Sequence, residues 1–266
     1  MIELDTITKV YTKGFLRRQK TIAVNNVSLS IKKGGSLGLV GESGSGKTTL
    51  GRIALRLIEP TSGMVRFDGV NLTALSRSAL RQIRPRMQII FQDPDTSLDP
   101  RMTVRNCVAE PMKIWNLVGP HEEEDRILEL LEQVGLQPDL IGRYSFELSG
   151  GQKQRVALAR VLALNPGFIV ADEPTAALDL SVQAQVLSLI KSVQKKTNLT
   201  LLFISHDLQI IEQMSDTVAV MHKGAIVEQG TTRDVLKTPK DPYTKNLIAA
   251  AYESETWLGK ERGRSL

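Results

Sequence analysis

The sequence predicts an α/β fold: a mostly parallel sheet around a glycine-rich loop, with an antiparallel β subdomain at the N-terminus and an inserted helical subdomain. Three observations predict it. A short apolar strand, Ser36 to Val40, runs straight into the glycine-rich turn 41–46 and then into apolar residues at helical spacing. From Phe168 to Met221, strand-type and helix-type segments alternate, as they do in parallel β-α-β units. Ahead of both, Ile2-Glu3-Leu4 and Val27-Ser28-Leu29-Ser30-Ile31 alternate with period two, the mark of half-buried antiparallel strands.

Taken in order, residues 2 to 39 read as strands separated by the basic loop Lys13 to Lys20, in which Lys13, Arg17, Arg18 and Lys20 form a solvated surface. A helix is expected over Thr48 to Ile58, where Leu50, Ile53, Ala54 and Leu57 share a face, and Pro60 and Gly63 punctuate the chain after it. Met87 to Phe91 reads as a buried strand and Asp93 to Asp99 as a turn-rich loop. His121 to Val134 reads as a helix whose acidic first turn suits the positive end of the helix dipole. Gln152 to Leu164 is a further helix, stopped by Asn165-Pro166-Gly167. Strand Phe168 to Ala171, helix Ser181 to Lys195, strand Leu199 to Ile204, helix Leu208 to Met214 and strand Val218 to Met221 complete the pattern. The expected division is one domain over 1–252, with its core in 1–94 and 161–238 and the helical subdomain at about 95–160. An extension over 239–266 ends in a polar, charge-mixed stretch expected to be flexible.

Composition bounds the function without choosing it. In a chain of 266 residues, 41% hydrophobic and 24% charged is enough apolar material for a sizeable core, which excludes wholesale disorder. The 34 Lys and Arg exceed the 29 Asp and Glu by five, a basic balance compatible with nucleic acid, an anionic membrane or an anionic ligand. The longest apolar run, Leu247 to Tyr252, is far below the ~18–20 residues of a membrane span. No basic stretch leads into an apolar one at the N-terminus, so a cytosolic chain is expected. A single cysteine, Cys107, can make neither an internal disulfide nor a thiolate cluster, and reads as a small buried hydrophobe.

The chemistry begins at Gly41-Glu42-Ser43-Gly44-Ser45-Gly46-Lys47-Thr48, which satisfies G-x-x-x-x-G-K-[ST] between a strand and a helix. Glycines let successive N–H groups turn inward around phosphate oxygens, and the helix N-terminus adds its positive end. Lys47 is expected on the β and γ phosphates and the Thr48 hydroxyl on magnesium; Thr49 joins the nucleotide-binding set. Strand Phe168 to Ala171 then delivers two carboxylates, Asp172 and Glu173, to the sheet edge. A pair of acids ending a buried strand is costly unless a cation or substrate uses them. Asp172 is the candidate magnesium-side carboxylate and Glu173 the candidate base that orients and polarises water.

Further segments resemble those of ATP-binding cassette (ABC) ATPases. Leu148-Ser149-Gly150-Gly151-Gln152, followed by Lys153-Gln154-Arg155, is similar to the family's signature motif. Gln92 matches its Q-loop, Ala176-Ala177-Leu178-Asp179 its D-loop and His206 its switch histidine, all in the family's order from about residue 2 to residue 250. The resemblance implies a head-to-tail dimer in which Ser149 and the N–H groups of Gly150 and Gly151, with Gln152, face ATP bound to the opposing subunit. Gln92 would act on magnesium and water, His206 on the γ-phosphate and attacking water, and Asp179 across the interface. The resemblance also implies an aromatic on adenine at about the position of Tyr11, with Phe15 the competitor, since a stacking platform needs only a flat π face. His121 and His222 lack such context and read as structural.

Within the family, Phe91 to Val104, Asp179-Leu180-Ser181-Val182-Gln183-Ala184-Gln185-Val186 and Asp241-Pro242-Tyr243-Thr244-Lys245 resemble oligopeptide, dipeptide and nickel importers. That resemblance implies ATP and Mg2+, a second and different ATPase subunit, two permeases and, indirectly, an extracytoplasmic solute-binding protein, with this chain peripheral on the cytoplasmic face of the cell membrane. Many such relatives carry C-terminal cysteines for an iron-sulfur cluster; this chain has none there, so no cluster is expected. Tyr144-Ser145-Phe146-Glu147 also departs from the Pro-His that often precedes Glu-Leu-Ser-Gly-Gly. The alternatives are an exporter motor sharing every catalytic residue, or a soluble ABC ATPase acting on nucleic acid or ribosomes. Against the latter stand the lack of a long heptad insert, a CxxC hook or a dense basic stripe, and no nucleic-acid partner is expected.

Overall fold

The computed structural model describes residues 1–13, 19–119 and 121–251. Phe15, Arg17, Arg18 and the charged end from 252 onward lie outside the described residues. In chain order the elements are β1 (Ile2–Lys13), β2 (Gln19–Ile31), β3 (Ser36–Val40), α1 (Lys47–Ala54), β4 (Ser62–Phe67), β5 (Val70–Asn71), α2 (Arg77–Ile83) and β6 (Met87–Ile90). Then come α3 (Val104–Ile114), α4 (Glu123–Gln133), α5 (Gly150–Leu162), β7 (Phe168–Asp172), α6 (Leu180–Thr197) and β8 (Thr200–Ile204). The chain continues through α7 (Leu208–Met214), β9 (Thr217–His222), β10 (Ala225–Thr231) and α8 (Thr232–Lys237), and a last helix covers 242–251. Two compact units result, one from Met1–Ala74 with the chain from Leu202 onward, the other from Leu75–Leu201.

In the first unit, β2-β1-β4-β5 form an antiparallel sheet. Ile2 pairs with Ile31 on one side and Phe67 on the other, so Ile2, Leu4, Leu29, Ile31, Val65 and Phe67 are all buried. The period-two alternation in the sequence is this one covered face. Beside it, β3 pairs in parallel with β9 from Leu37–Thr217 to Val40–Val220, and β10 pairs antiparallel with β9. All five residues of β3 are buried, as expected of a strand covered on both faces. Its start is pinned by a reciprocal pair: Ser36 donates N–H and Oγ–H to Asp216 Oδ2 at 2.9 and 2.7 Å, while Asp216 N–H donates to Ser36 Oγ at 2.9 Å.

The helix after the phosphate loop stops at Ala54, short of the apolar pattern that runs to Ile58. Arg56 takes a left-handed backbone at φ 49°, its N–H donates to Ile53 O at 2.7 Å, and Leu57 N–H donates to Arg52 O at 2.8 Å. That is a Schellman ending, which satisfies the last carbonyls and turns the chain toward β4. The spacing of Leu57 carries no sign of it, and Leu57 ends 47% exposed.

In the second unit, β6 pairs in parallel with β7, from Met87–Phe168 to Ile90–Ala171. The helices α3 and α4 bury Val104, Cys107, Val108 and Met112 on one and Ile127, Leu130 and Leu131 on the other. Arg105 and Lys113 of α3 pair with the acidic first turn of α4, Lys113 reaching Glu123 at 3.2 Å and Arg105 reaching Glu124 at 3.1 Å. Cys107 is fully buried, and burial pushes its thiol above the usual range, so it behaves as the small hydrophobe expected. The elements β4, β5, α2, β10 and α8 have no counterpart in the sequence reading. They are short or half-covered, and β10 carries Glu228, Gln229 and Gly230, so the apolar signal is weak.

Candidate active site

In the first unit, β3 hands directly to the phosphate loop and the loop to α1. Gly41 takes φ 152° and lies so close to β9 that a Cβ there would collide with the carbonyl oxygen of Met221; Gly46, at φ 108°, would collide with the carbonyl of Ala23. Only glycine fits either end of the turn. Lys47 is buried, and its Nζ donates to the carbonyls of Gly41 at 2.6 Å and Glu42 at 2.8 Å, so the ammonium lies folded over its own loop. Ser43, Gly44 and Thr48 are exposed, Thr49 is half-buried, and the Ser45 hydroxyl is buried with no hydrogen-bond partner. A parked ammonium in a glycine loop at a helix N-terminus fits a bound phosphate chain.

His206 stands exposed in the turn between β8 and α7. Ser205 N–H donates to Leu39 O at 3.3 Å, which ties this turn to the strand that ends in the phosphate loop. Asp207 caps α7, accepting from Gln209 N–H at 2.8 Å. Tyr11 lies on β1 opposite Thr21, 41% exposed, with Lys9 Nζ 5.1 Å from its ring centroid.

The second unit gathers the other candidates. Asp172 is the last residue of β7 and is buried; Glu173 follows at φ 48°, a left-handed backbone that a non-glycine residue adopts at a cost of about 1–3 kcal/mol. The strain turns the chain sharply at the strand's carboxyl end, where Glu173 O accepts from Ala176 N–H at 3.2 Å. Gln92 leaves the neighbouring strand and is exposed; Asp93 caps the turn after it, accepting from Asp95 N–H at 2.9 Å. Asp95 reaches Lys153 of α5 at 2.7 Å, so the loop after Gln92 is tied to the helix of the signature motif.

That helix begins at Gly150, two residues earlier than the sequence spacing suggests, because Ser149 and Gln152 form a capping box. Ser149 Oγ accepts from Gln152 N–H at 3.3 Å and Gln152 Oε1 accepts from Ser149 N–H at 2.9 Å. Gly150 and Gly151 occupy the first turn, where N–H groups have no intrahelical acceptor. Gly151 is pressed against α6, where a Cβ would overlap Val182 Cγ1, and Asp179 caps α6, accepting from Val182 N–H at 2.9 Å. The signature turn and the Asp179 turn are thus packed against each other. Between β6, α3 and α5 lies a cavity of about 360 Å³ lined by Gln88, Phe91, Ser97, Pro111, Arg160 and Leu164.

One arrangement escaped the sequence reading. Tyr243 Oη accepts from Glu42 N–H at 3.2 Å, and its ring lies 3.9 Å from that of His222. Asp241-Pro242-Tyr243-Thr244 is visible as a motif, but a contact spanning 201 residues has no local signature.

A glycine cradle with a buried lysine, on a mixed parallel sheet, defines a nucleotide-binding protein of the P-loop class. The sequence profile of the family described as ABC transporter matches residues 24–176, and the chain belongs to that family. It is an ATP-binding cassette ATPase. It is 47% identical over 253 residues to the dipeptide transport ATP-binding protein DppF of Lactococcus lactis, a match covering 94% of this chain and 80% of the relative. A Brucella ovis chain with the provisional name of peptide import ATP-binding protein is 49% identical over 239 residues, 90% of this chain and 75% of its own. Among solved structures, the dimeric cassette MJ0796 bound to ADP and Pi superposes with a TM-score of 0.79 at 31% identity, covering 88% of this chain and 99% of that one. Among the described residues no helix is long and apolar enough to cross a membrane.

Proposed function

We propose that this chain is the ATP-hydrolysing motor of a peptide importer, bound to the cytoplasmic face of the cell membrane through two permease subunits and paired head-to-tail with a second ABC ATPase. The observation that carries the reading is the phosphate cradle of Lys47, with its ammonium over the carbonyls of Gly41 and Glu42 at the start of α1, in a chain whose relatives bear peptide transport names. Import rather than export is supported by the Asp93–Val104 and Pro242-Tyr243-Thr244 segments and by the name of the Brucella relative.

In this reading residues 1–94 and 161–238 bind and hydrolyse ATP, and 95–160 face the permease. Tyr11 stacks on adenine. Lys47 and the N–H groups of residues 43–48 hold the phosphates. The Thr48 hydroxyl, the Gln92 amide and the Asp172 carboxylate are hard oxygen donors that suit Mg2+, which when bound neutralises charge developing on the transferred phosphoryl group. Glu173 orients and polarises the attacking water, and His206 contacts the γ-phosphate. Ser149, Gly150, Gly151 and Gln152 serve the ATP of the opposing subunit, and Asp179 links the two sites. A permease loop enters the cavity bordered by Phe91 and Pro111, next to the Gln92 loop that Asp95 and Lys153 tie to the signature helix. Closure of the dimer on ATP then moves the permease.

Affinity purification from detergent-solubilised membranes tests this. Recovery of two permeases and a second ATPase is the expected result; recovery of ribosomes or nucleic acid instead would overturn it.

A further inference from the structure

The phosphate loop is gripped from its outer side as well as being shaped for a ligand. Near its exit, Asn25 N–H donates to Gly224 O at 2.8 Å and Gly224 N–H donates to Ser45 O at 3.0 Å, so β2 and the β9–β10 turn hold it there. At its entry the holding group is the phenol of Tyr243. The peptide unit between Gly41 and Glu42 is engaged at both ends: its carbonyl, Gly41 O, accepts from Lys47 Nζ at 2.6 Å, and its N–H, on Glu42, donates to Tyr243 Oη at 3.2 Å. Rotating that plane would turn the carbonyl away from the lysine that meets the phosphates.

Tyr243 is itself fixed by several neighbours. It lies in the first turn of helix 242–251, where Asp241 Oδ1 accepts from Tyr243 N–H at 2.8 Å. Glu228 of β10 accepts from Lys240 N–H at 2.9 Å and Asp241 N–H at 3.1 Å, which anchors the segment leading into that helix. The imidazole of His222, the last residue of β9, lies against the phenol ring at 3.9 Å with a tilt of 36°. Burial pushes the phenol further above its usual pKa. A surface tyrosine with no task needs none of these restraints.

We infer that Tyr243 is a positioning residue for ATP binding: it fixes the Gly41–Glu42 peptide plane, and thereby couples docking of the C-terminal helix to the affinity of the phosphate loop. The inference rests on the ATPase reading and assigns the C-terminal segment a task within it.

The test uses the full chain. Tyr243→Phe removes only the oxygen and keeps the ring on His222. The expected result, by titration with Mg-ATP, is a Kd about 3–10 times that of wild type, the weight of one hydrogen bond. In the assembled transporter the KM for ATP rises by a similar factor while kcat at saturating ATP stays within about twofold, and the melting temperature of the ligand-free protein is unchanged. Asp241→Ala, which loosens the helix but keeps the phenol, also raises Kd. Equal Kd values for wild type and Tyr243→Phe overturn the inference, as does a fall in kcat or melting temperature with Kd unchanged. No ATP binding by the wild type would overturn the ATPase reading, and this inference with it.

Discussion

Gln92 and Glu173 leave adjacent parallel strands at matching positions: Ile90 pairs with Ala171, and each of the two residues stands two places beyond that pair. Parallel pairing puts both at the same carboxyl edge, where α/β sheets hold their ligands. The left-handed backbone of Glu173 turns the chain at that edge.

From this placement, Glu173→Gln is expected to bind ATP normally and to lower turnover by about 100-fold or more, trapping the closed dimer, because the amide cannot take a proton from water. Phosphate release by the complex with its partner subunits measures it. Unchanged hydrolysis would remove Glu173 from the role of base.

Lys47→Ala is expected to weaken ATP binding by on the order of 100-fold, since two charge-assisted contacts to the loop and those to phosphate are lost together. Equilibrium titration with Mg-ATP reads this directly, and affinity within threefold of wild type would contradict it.

The two signature glycines should respond differently to alanine. A Cβ at Gly151 overlaps Val182 and forces α5 from α6, so Gly151→Ala should cost about 1–3 kcal/mol in urea unfolding; a Cβ at Gly150 meets only the Leu178 side chain at 3.4 Å and should cost far less. Equal destabilisation by the two substitutions would argue against the close α5–α6 approach.

Glu228 gives a pH signature. Burial works to raise its pKa, but the N–H groups of Lys240 and Asp241 and the Lys240 charge outweigh it and hold the carboxylate below its usual 4.5. A carboxylate with a depressed folded pKa stabilises the protein above its unfolded pKa and loses that contribution as pH falls through the folded value. Glu228→Gln should therefore melt at lower temperature than wild type at pH 7, and the gap should close as pH falls through the folded value, which lies below 4.5. A gap independent of pH would show that charge is not involved.

Much of the site was legible because its chemistry is local in the chain. The run Gly41 to Thr48 needs strand, turn and helix within a few residues, and Ser36–Val40 and Lys47–Ala54 supply them where the spacing predicts. Asp172 and Glu173 were visible for the same reason, as acids ending an apolar strand. Where tertiary structure supplied the boundary, periodicity misjudged it. The helix after the loop ends at Ala54 in a Schellman turn through Arg56 that Leu57 does not signal, and the signature helix starts at Gly150 because Ser149 and Gln152 cap each other. The edge strand β10 gives no alternation, because Glu228 and Gly230 are half-covered and Gln229 is exposed.

The sequence alone thus determined the α/β class, the glycine loop between β3 and α1 and the placing of Asp172 and Glu173 at the carboxyl end of β7, all of which depend on short-range spacing and residue chemistry. Tertiary structure alone decided that Tyr243 meets Glu42 and that Gly151 meets Val182. Contacts between residues far apart in the chain depend on how strands pair and helices pack, and no window of sequence contains that information.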